Sequence, residues 1–250
     1  MDVEAGRYGV ADGASEGCFT GDWARLLVES FVRGGEITSW PASLPALQEQ
    51  WDAEVRAQDL PWYAETGVNQ GACSTFLGLV LEDSPLPQAG ERLGARGAPC
   101  RWQAVAVGDT CLLHTRGGTL LHAFPLDRSE QFHNFPKLVG SRMPVEAVLA
   151  RQTLWLDGCG QPGDRLWMMT DALSQFCLGA IEAGGNPRDE LESLLAGDLG
   201  LLPPACGREA AGEGKLQPDA LNDRFFAWIE GLRGAGRLRN DDVTLLAIEL

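Results

Sequence analysis

The chain of 250 residues carries 35 acidic side chains against 20 basic ones, for a formal net charge of −15 at pH 7. Such an acidic protein is a poor candidate for nonspecific binding to nucleic acid or to anionic membranes. The sequence has no apolar run as long as a membrane span, and its start lacks the apolar region of a signal peptide. We therefore expect a cytoplasmic protein with neither nucleic acid nor membrane among its partners.

Cysteine and histidine usage limits the kinds of site that the chain can build. The seven cysteines are odd in number, widely spaced and without a CxxC pair. This argues against a disulfide framework or a zinc site and fits a reducing compartment, with most cysteines as small core residues. The three histidines are too scattered for a histidine-rich metal site, and we expect His114 and His122 to be half-exposed strand residues.

Apolar periodicity and turn residues define the elements of the first hundred residues. Thr20 and Asp22 are both suitable N-caps for the first helix. The predicted elements are a strand at Tyr8–Ala11, a helix from Thr20 to about Arg33, a helix from Ser43 to about Ala64 that buries Leu44, Leu47, Trp51 and Val55, a strand at Gly71–Leu81, and a surface loop at Asp83–Pro99.

The rest of the chain favours hairpins and paired helices. Gly117-Gly118 supplies a hairpin turn inside an expected three-stranded meander. The predicted elements are the meander strands Arg101–Val107, Thr110–Thr115 and Thr119–Phe124, a loop at Pro125–Pro144, strands at Thr153–Leu156 and Arg165–Met169, helices at Ala172–Gly184, Arg188–Leu195 and Ala220–Leu232, and a last strand in VTLLAIEL. We expect one α+β domain over residues 1–250, with antiparallel sheets.

Four aspartates share one local context, the boundary between an apolar strand and a turn. They are Asp12, Asp109, Asp171 and Asp241. If these strands lie side by side, the carboxylates face a common cleft. Carboxylates without histidine or cysteine neighbours select Mg²⁺ or Mn²⁺. Such ions activate water and attract an anionic substrate to an acidic protein. The other reading is four unrelated turn aspartates, and the residues alone leave both readings open.

The order of five motifs carries a family resemblance. VADGASEG, GACSTFLGL, AVAVGDTCLLHTRGGTL, LWMMTDALSQF and NDDVTLLAIEL resemble, in sequence order, the motifs of metal-dependent PP2C-type (PPM) serine/threonine protein phosphatases. The resemblance extends from Gly9 to Leu250. It implies an α+β fold of two packed antiparallel β-sheets flanked by helix pairs, an α-β-β-α sandwich.

The resemblance also implies roles for individual residues. Asp12 would bridge two Mn²⁺ or Mg²⁺ ions, and the carbonyl of Gly13 would bind the second. Asp171 and Asp241 would complete the ligands of the first, and Asp109 would contact a third, weaker ion. Catalysis would then depend on Asp12, Asp171 and Asp241, with a metal-bridging hydroxide attacking phosphoserine or phosphothreonine in a protein substrate.

Thr75 and Thr110 match positions of the family that support packing and hydrogen bonding. The expected fold also departs from the family at the N-terminus, where the first strand is missing or truncated. In the family, that strand supplies an arginine for the substrate phosphate and an acidic pair near the second ion. Arg7 could approach the cleft, although no motif supports this. Ala14 replaces a histidine or methionine, and Ala172 replaces a glycine.

Three functions are therefore considered. The first is a metal-dependent protein serine/threonine phosphatase. The second is a catalytically impaired PP2C-like pseudophosphatase that acts as a regulatory or binding module, which the incomplete N-terminal motif motivates. The third is an acidic α+β domain that binds a protein partner through its long loops. We expect substrate choice to lie in the loops 83–99, 125–144 and 186–218.

Overall fold

The computed structural model describes residues 6–15, 17–60, 64–82, 100–145, 152–186, 189–192 and 218–250. The strands are Arg7–Val10 (β1), Cys73–Ser74 (β2), Phe76–Glu82 (β3), Cys100–Val107 (β4), Cys111–Arg116 (β5), Thr119–Phe124 (β6), Val139–Gly140 (β7), Leu154–Gly160 (β8), Arg165–Met169 (β9) and Leu245–Glu249 (β10). The α-helices are Thr20–Val32 (α1), Leu44–Arg56 (α2), Ala64–Gln70 (α3), Asp171–Glu182 (α4) and Pro218–Gly234 (α5). Short 3-10 helices lie at Ile37–Ser43 and Ser129–Gln131.

Two four-stranded antiparallel sheets form the centre of the fold, in the strand orders β1-β3-β4-β8 and β10-β9-β5-β6. Their inner faces share one core, in which Leu79 and Trp102 of the first sheet meet Leu166 of the second. Helices α1 and α2 cover the outer face of the first sheet, and α4 and α5 cover that of the second. The expected sandwich of sheets and helices is thus confirmed.

Burial on both faces explains the nearly continuous apolar runs of the strands. In β4, Ala104 and Ala106 face the core between the sheets, whereas Val105 and Val107 face the helices. The expected three-stranded meander is wrong, because β4 and β5 belong to different sheets. The strand β4 packs under α1 and α2, whereas β5 packs under α4. Gly108, at φ 100°, makes the turn between them.

The helical predictions hold with changed boundaries. The N-cap of α1 is Phe19, at φ 59°, rather than Thr20 or Asp22. The second helix buries the four expected residues but ends at Arg56, and a separate helix α3 follows. Pro61 lacks the N–H that a continuous helix would need. The expected strand at 71–81 is divided at Thr75, whose N–H donates to the carbonyl of Asp12 at 2.9 Å.

The remaining strand and helix predictions agree with the structure where it describes them. The loop at 125–144 also contains β7 and a 3-10 turn, and the strand near 153–156 extends to Gly160. The loop 83–99 and most of 186–217 lie outside the described residues, although 189–192 are helical. Within the described chain, no helix combines the length and apolarity needed to cross a membrane.

His114 and the cysteines differ from expectation. His114 is fully buried, and its Nε2 lies 2.9 Å from Oδ2 of Asp164. Arg116 donates two hydrogen bonds to the same carboxylate, which holds the pKa of Asp164 well below its usual range. Cys111 and Cys177 are core residues as expected, but Cys159 is exposed.

The contact between α1 and β3 leads to a stability prediction. A Cβ at Gly78 would lie 2.6 Å from the ring of Phe31, which is buried and cannot move aside. Gly78→Ala should therefore lower the free energy of unfolding by about 1–3 kcal/mol. Gly231→Ala is the matched control: this glycine lies inside α5 with open space around it. It should raise stability by about 0.5–1 kcal/mol. Urea denaturation measures both, and an unchanged midpoint for Gly78→Ala would contradict the packing.

Candidate metal centre

Strand pairing brings the predicted aspartates to one end of the two sheets. Met169 of β9 lies between Cys111 of β5 and Leu245 of β10. Asp109 lies shortly before β5, and Asp241 lies shortly before β10. Asp171 follows the end of β9, after Thr170. Because the pairs are antiparallel, the start of β5, the end of β9 and the start of β10 meet at one edge. Asp109, Asp171 and Asp241 therefore lie at the same end of the second sheet.

Asp12 joins them from the other sheet through two threonines. Its N–H donates to Oγ1 of Thr75 at 3.2 Å, and its carbonyl accepts the N–H of Thr75 at 2.9 Å. The buried hydroxyls of Thr75 and Thr110 lie 2.6 Å apart. Since Thr110 follows Asp109, this hydroxyl pair fixes the Asp12 turn against the Asp109 turn. The hydrogen-bonding role expected for both threonines is present.

The carboxylates are close enough to alter one another's ionisation. Burial raises the pKa of Asp12 to about 7, and repulsion from Asp171, Asp241, Asp242 and Asp109 adds to the rise. Burial likewise raises the pKa of Asp109 to about 6, with repulsion from Asp171 as the next cause. The cluster is therefore short of positive charge, which a bound cation would supply.

Arg239 is a cation at this cluster that the sequence interpretation missed. Its guanidinium contacts Oδ2 of Asp171 and lies 3.5 Å from Oδ2 of Asp241. The turn that carries both Arg239 and Asp241 is held to α5 by Arg233, which donates to the carbonyl of Asp241. The available signal was a basic residue two positions before a predicted ligand.

The glycine after Asp12 has a packing reason of its own. A Cβ at Gly13 would lie 2.9 Å from the backbone of Thr20, so no side chain fits between the turn and α1. Gly13 also bridges to Ser74, next to the threonine that holds Asp12. The turn is thus fixed by its neighbours, and binding of an ion by the Gly13 carbonyl stays a prediction.

Arg7, for which no motif indicated a place in the cleft, points elsewhere. The side chain is buried, and it donates at 2.9 Å to the carbonyls of Phe31 and Gly35 at the end of α1. Arg7 thereby joins β1 to the last turn of α1, through Phe31, and to the segment that follows the helix, through Gly35. Ala172 is accommodated as expected, because it lies in the first turn of α4 and donates its N–H to Asp171.

The donors suit a hard divalent ion, but they are not gathered around one. Among the residues that the structure describes, no three aspartate, glutamate, histidine or cysteine side chains form a ready ligand group. The available donors are carboxylate oxygens, which Mg²⁺ and Mn²⁺ prefer. Burial and mutual repulsion of Asp12 and Asp109 are what such an ion would relieve. The residues therefore fit the ions, provided that Arg239 releases Asp171.

Comparison with known proteins finds matches among solved structures. No family model and no curated protein matches the sequence. The serine/threonine phosphatase PstP of Mycobacterium tuberculosis is similar over 98% of this chain and 88% of its own, at 14% identity and a TM-score of 0.53. The catalytic domain of PstP in complex with two manganese ions is similar over 97% of this chain and 86% of its own, at 16% identity and a TM-score of 0.51. PppA, a regulatory component of T6SS in Pseudomonas aeruginosa, is 18% identical over 99% of this chain and 87% of its own, with a TM-score of 0.49.

The two PstP structures show the fold of this chain. The chain has the fold of the PP2C-type serine/threonine phosphatases, as the motif resemblance implied. At 14% and 16% identity the likeness concerns the fold alone.

The raised pKa of Asp12 leads to a pH prediction for the metal-free protein. An unfolded aspartate titrates near 4, whereas folded Asp12 titrates at about 7. Between these values the folded state holds a proton that the unfolded state has lost, so stability falls as the pH rises from about 4 to about 7. Asp12→Asn removes this penalty and should raise the free energy of unfolding at pH 8 by about 2 kcal/mol.

Urea denaturation in EDTA at several pH values measures this effect. Asp59→Asn, at an exposed position, is the control and should leave the pH dependence unchanged. If the free energies of unfolding of wild type and Asp12→Asn differ by the same amount from pH 4 to pH 8, the pKa of Asp12 is not raised by burial and repulsion.

Proposed function

We propose that residues 1–250 form a metal-dependent phosphatase domain that hydrolyses phosphoserine and phosphothreonine in a protein substrate. One observation carries this proposal. Asp12, Asp109, Asp171 and Asp241 lie at the ends of four different strands, and Asp12 interacts electrostatically with the other three at one edge of a PP2C fold. Turn aspartates with unrelated roles would have no reason to converge at a cost in repulsion.

The chain's own residues would bind and orient the reacting groups. Two Mn²⁺ or Mg²⁺ ions, when bound, would activate water and neutralise the phosphate. Asp12 would hold both ions, the carbonyl of Gly13 would hold the second, and Asp171 and Asp241 would hold the first. Asp109 is the candidate for a third, weaker ion. Thr75 supports this arrangement because it holds the backbone of Asp12 from both sides.

A PP2C-like pseudophosphatase is the second candidate, and one specific observation favours it. Arg239 already neutralises Asp171. If Arg239 keeps this place, the first ion is excluded, and the domain would act as a regulatory or binding module.

For either function, the described cysteines are free thiols, which supports a reducing compartment such as the cytoplasm.

Turnover distinguishes the two candidates. With Mn²⁺, the purified protein should hydrolyse p-nitrophenyl phosphate and a phosphothreonine peptide, and EDTA should abolish both activities. Asp12→Asn and Asp171→Asn should each lower kcat by at least about 100-fold, because each removes a charge that would hold an ion. Asp242→Asn is the matched control within the same cluster. It should keep near-wild-type turnover, since Asp242 is not an expected ligand.

Two results would contradict the enzymatic proposal. One is a folded protein without Mn²⁺-dependent turnover on either substrate, in which case Mn²⁺ binding by calorimetry would identify a metal-binding pseudophosphatase. The other is equal loss of activity in Asp242→Asn and Asp171→Asn, which would mean that overall charge, rather than ligand identity, matters at the cluster.

A further inference from the structure

Arg239 lies between two carboxylates that are expected to bind the same ion. Its Nη2 contacts Oδ2 of Asp171 and is 3.5 Å from Oδ2 of Asp241. One nitrogen atom therefore faces an oxygen of each candidate ligand. The carboxylate of Asp171 is only 17% exposed, which strengthens an ionic contact relative to one on the open surface.

The second oxygen of each carboxylate is engaged by the backbone. Oδ1 of Asp171 accepts the N–H of Ala172 at 2.6 Å. Oδ1 of Asp241 accepts the N–H of Asp242 at 3.0 Å. These bonds orient both carboxylates so that their Oδ2 atoms face Arg239. The oxygens that these backbone bonds leave unengaged are thus the two that the guanidinium faces.

We propose that Arg239 is a resident counter-cation of this cluster, and that a divalent ion must displace it from Asp171 and Asp241 in order to bind. The inference rests on the proposed function, because it takes the two aspartates as ligands of one ion. Arginine keeps its charge at every physiological pH, so it cannot yield the site by deprotonation. A divalent ion held by Asp171 and Asp241 would be close to the guanidinium, and the two cations would repel each other. The ion and Arg239 therefore compete for the two carboxylates.

The structure has room for the displaced side chain. Arg239 borders an open groove of about 590 Å³ along α4, lined by Ala172, Gln175 and Gly179 among others. Arg237 borders the same groove, but it is held differently, 3.1 Å from Glu190 and over the ring of Phe176. Arg237 is consequently a matched control, with the same charge at the same groove and a different carboxylate partner.

Mn²⁺ titration calorimetry on the full chain tests the competition. Arg239→Gln removes the charge and keeps a shorter polar side chain, and it should bind Mn²⁺ about fivefold to tenfold more tightly than wild type. Arg237→Gln should bind Mn²⁺ with wild-type affinity. Arg239→Lys, which keeps the charge but loses the planar fork, should have an intermediate affinity.

Thermal unfolding separates competition from a purely structural role. Without metal, Arg239→Gln should melt at a lower temperature than wild type, because the carboxylates lose their counter-ion. With Mn²⁺, its increase in Tm should exceed that of wild type. A structural role would lower stability without raising affinity. If Arg239→Gln does not fold, the affinity of Arg239→Lys decides the question.

The possible failures are distinguishable. Equal or weaker Mn²⁺ binding by Arg239→Gln, or by Arg239→Lys if that variant decides, would overturn the counter-cation role and leave the proposed phosphatase intact. A matching gain in affinity for Arg237→Gln would also overturn it, since the effect would then be one of general charge. No Mn²⁺ binding by wild type or variants would remove the proposed function and this inference together.

Discussion

The central strands of both sheets are covered on both faces, and this burial limits where ionised side chains can lie. A charged group inside the sandwich would lose its hydration without a partner. These strands are accordingly apolar on both faces, as along residues 104–107 of β4, and the carboxylates of the site begin where the strands stop. At this edge they are partly desolvated. This position explains why the pKa of Asp12 reaches about 7 and that of Asp109 about 6.

The concentration of negative charge at the edge must be offset by something positive. Arg239 offsets part of it in the structure, and divalent ions would do so in the proposed enzyme. The active and inactive interpretations are therefore two outcomes of one competition for Asp171. In this view a single residue outside the family motifs sets how readily a PP2C fold with these aspartates becomes loaded with metal.

Sequence patterns predicted what depends on local order. Period and composition located β9 to the residue and the buried face of α2. The strand-end context singled out four aspartates, three of which act electrostatically on Asp12. The same patterns could not assign β4 and β5 to different sheets, because membership depends on which helices cover each strand. Arg239 was missed for a similar reason: its contact with Asp171 joins residues 68 positions apart, and its place two residues before Asp241 does not by itself indicate that contact.

The threonine pair at the edge has a consequence for how the protein folds. Thr75 and Thr110 join the two sheets, and the aspartates they help to align come from segments spread over nearly the whole chain. Contacts between distant segments close late and slowly during folding. Asp109, Asp171 and Asp241 all flank strands of the second sheet, so only the addition of Asp12 to the carboxylate cluster requires both sheets to have docked. Metal uptake that depends on Asp12 would accordingly report docking of the two sheets.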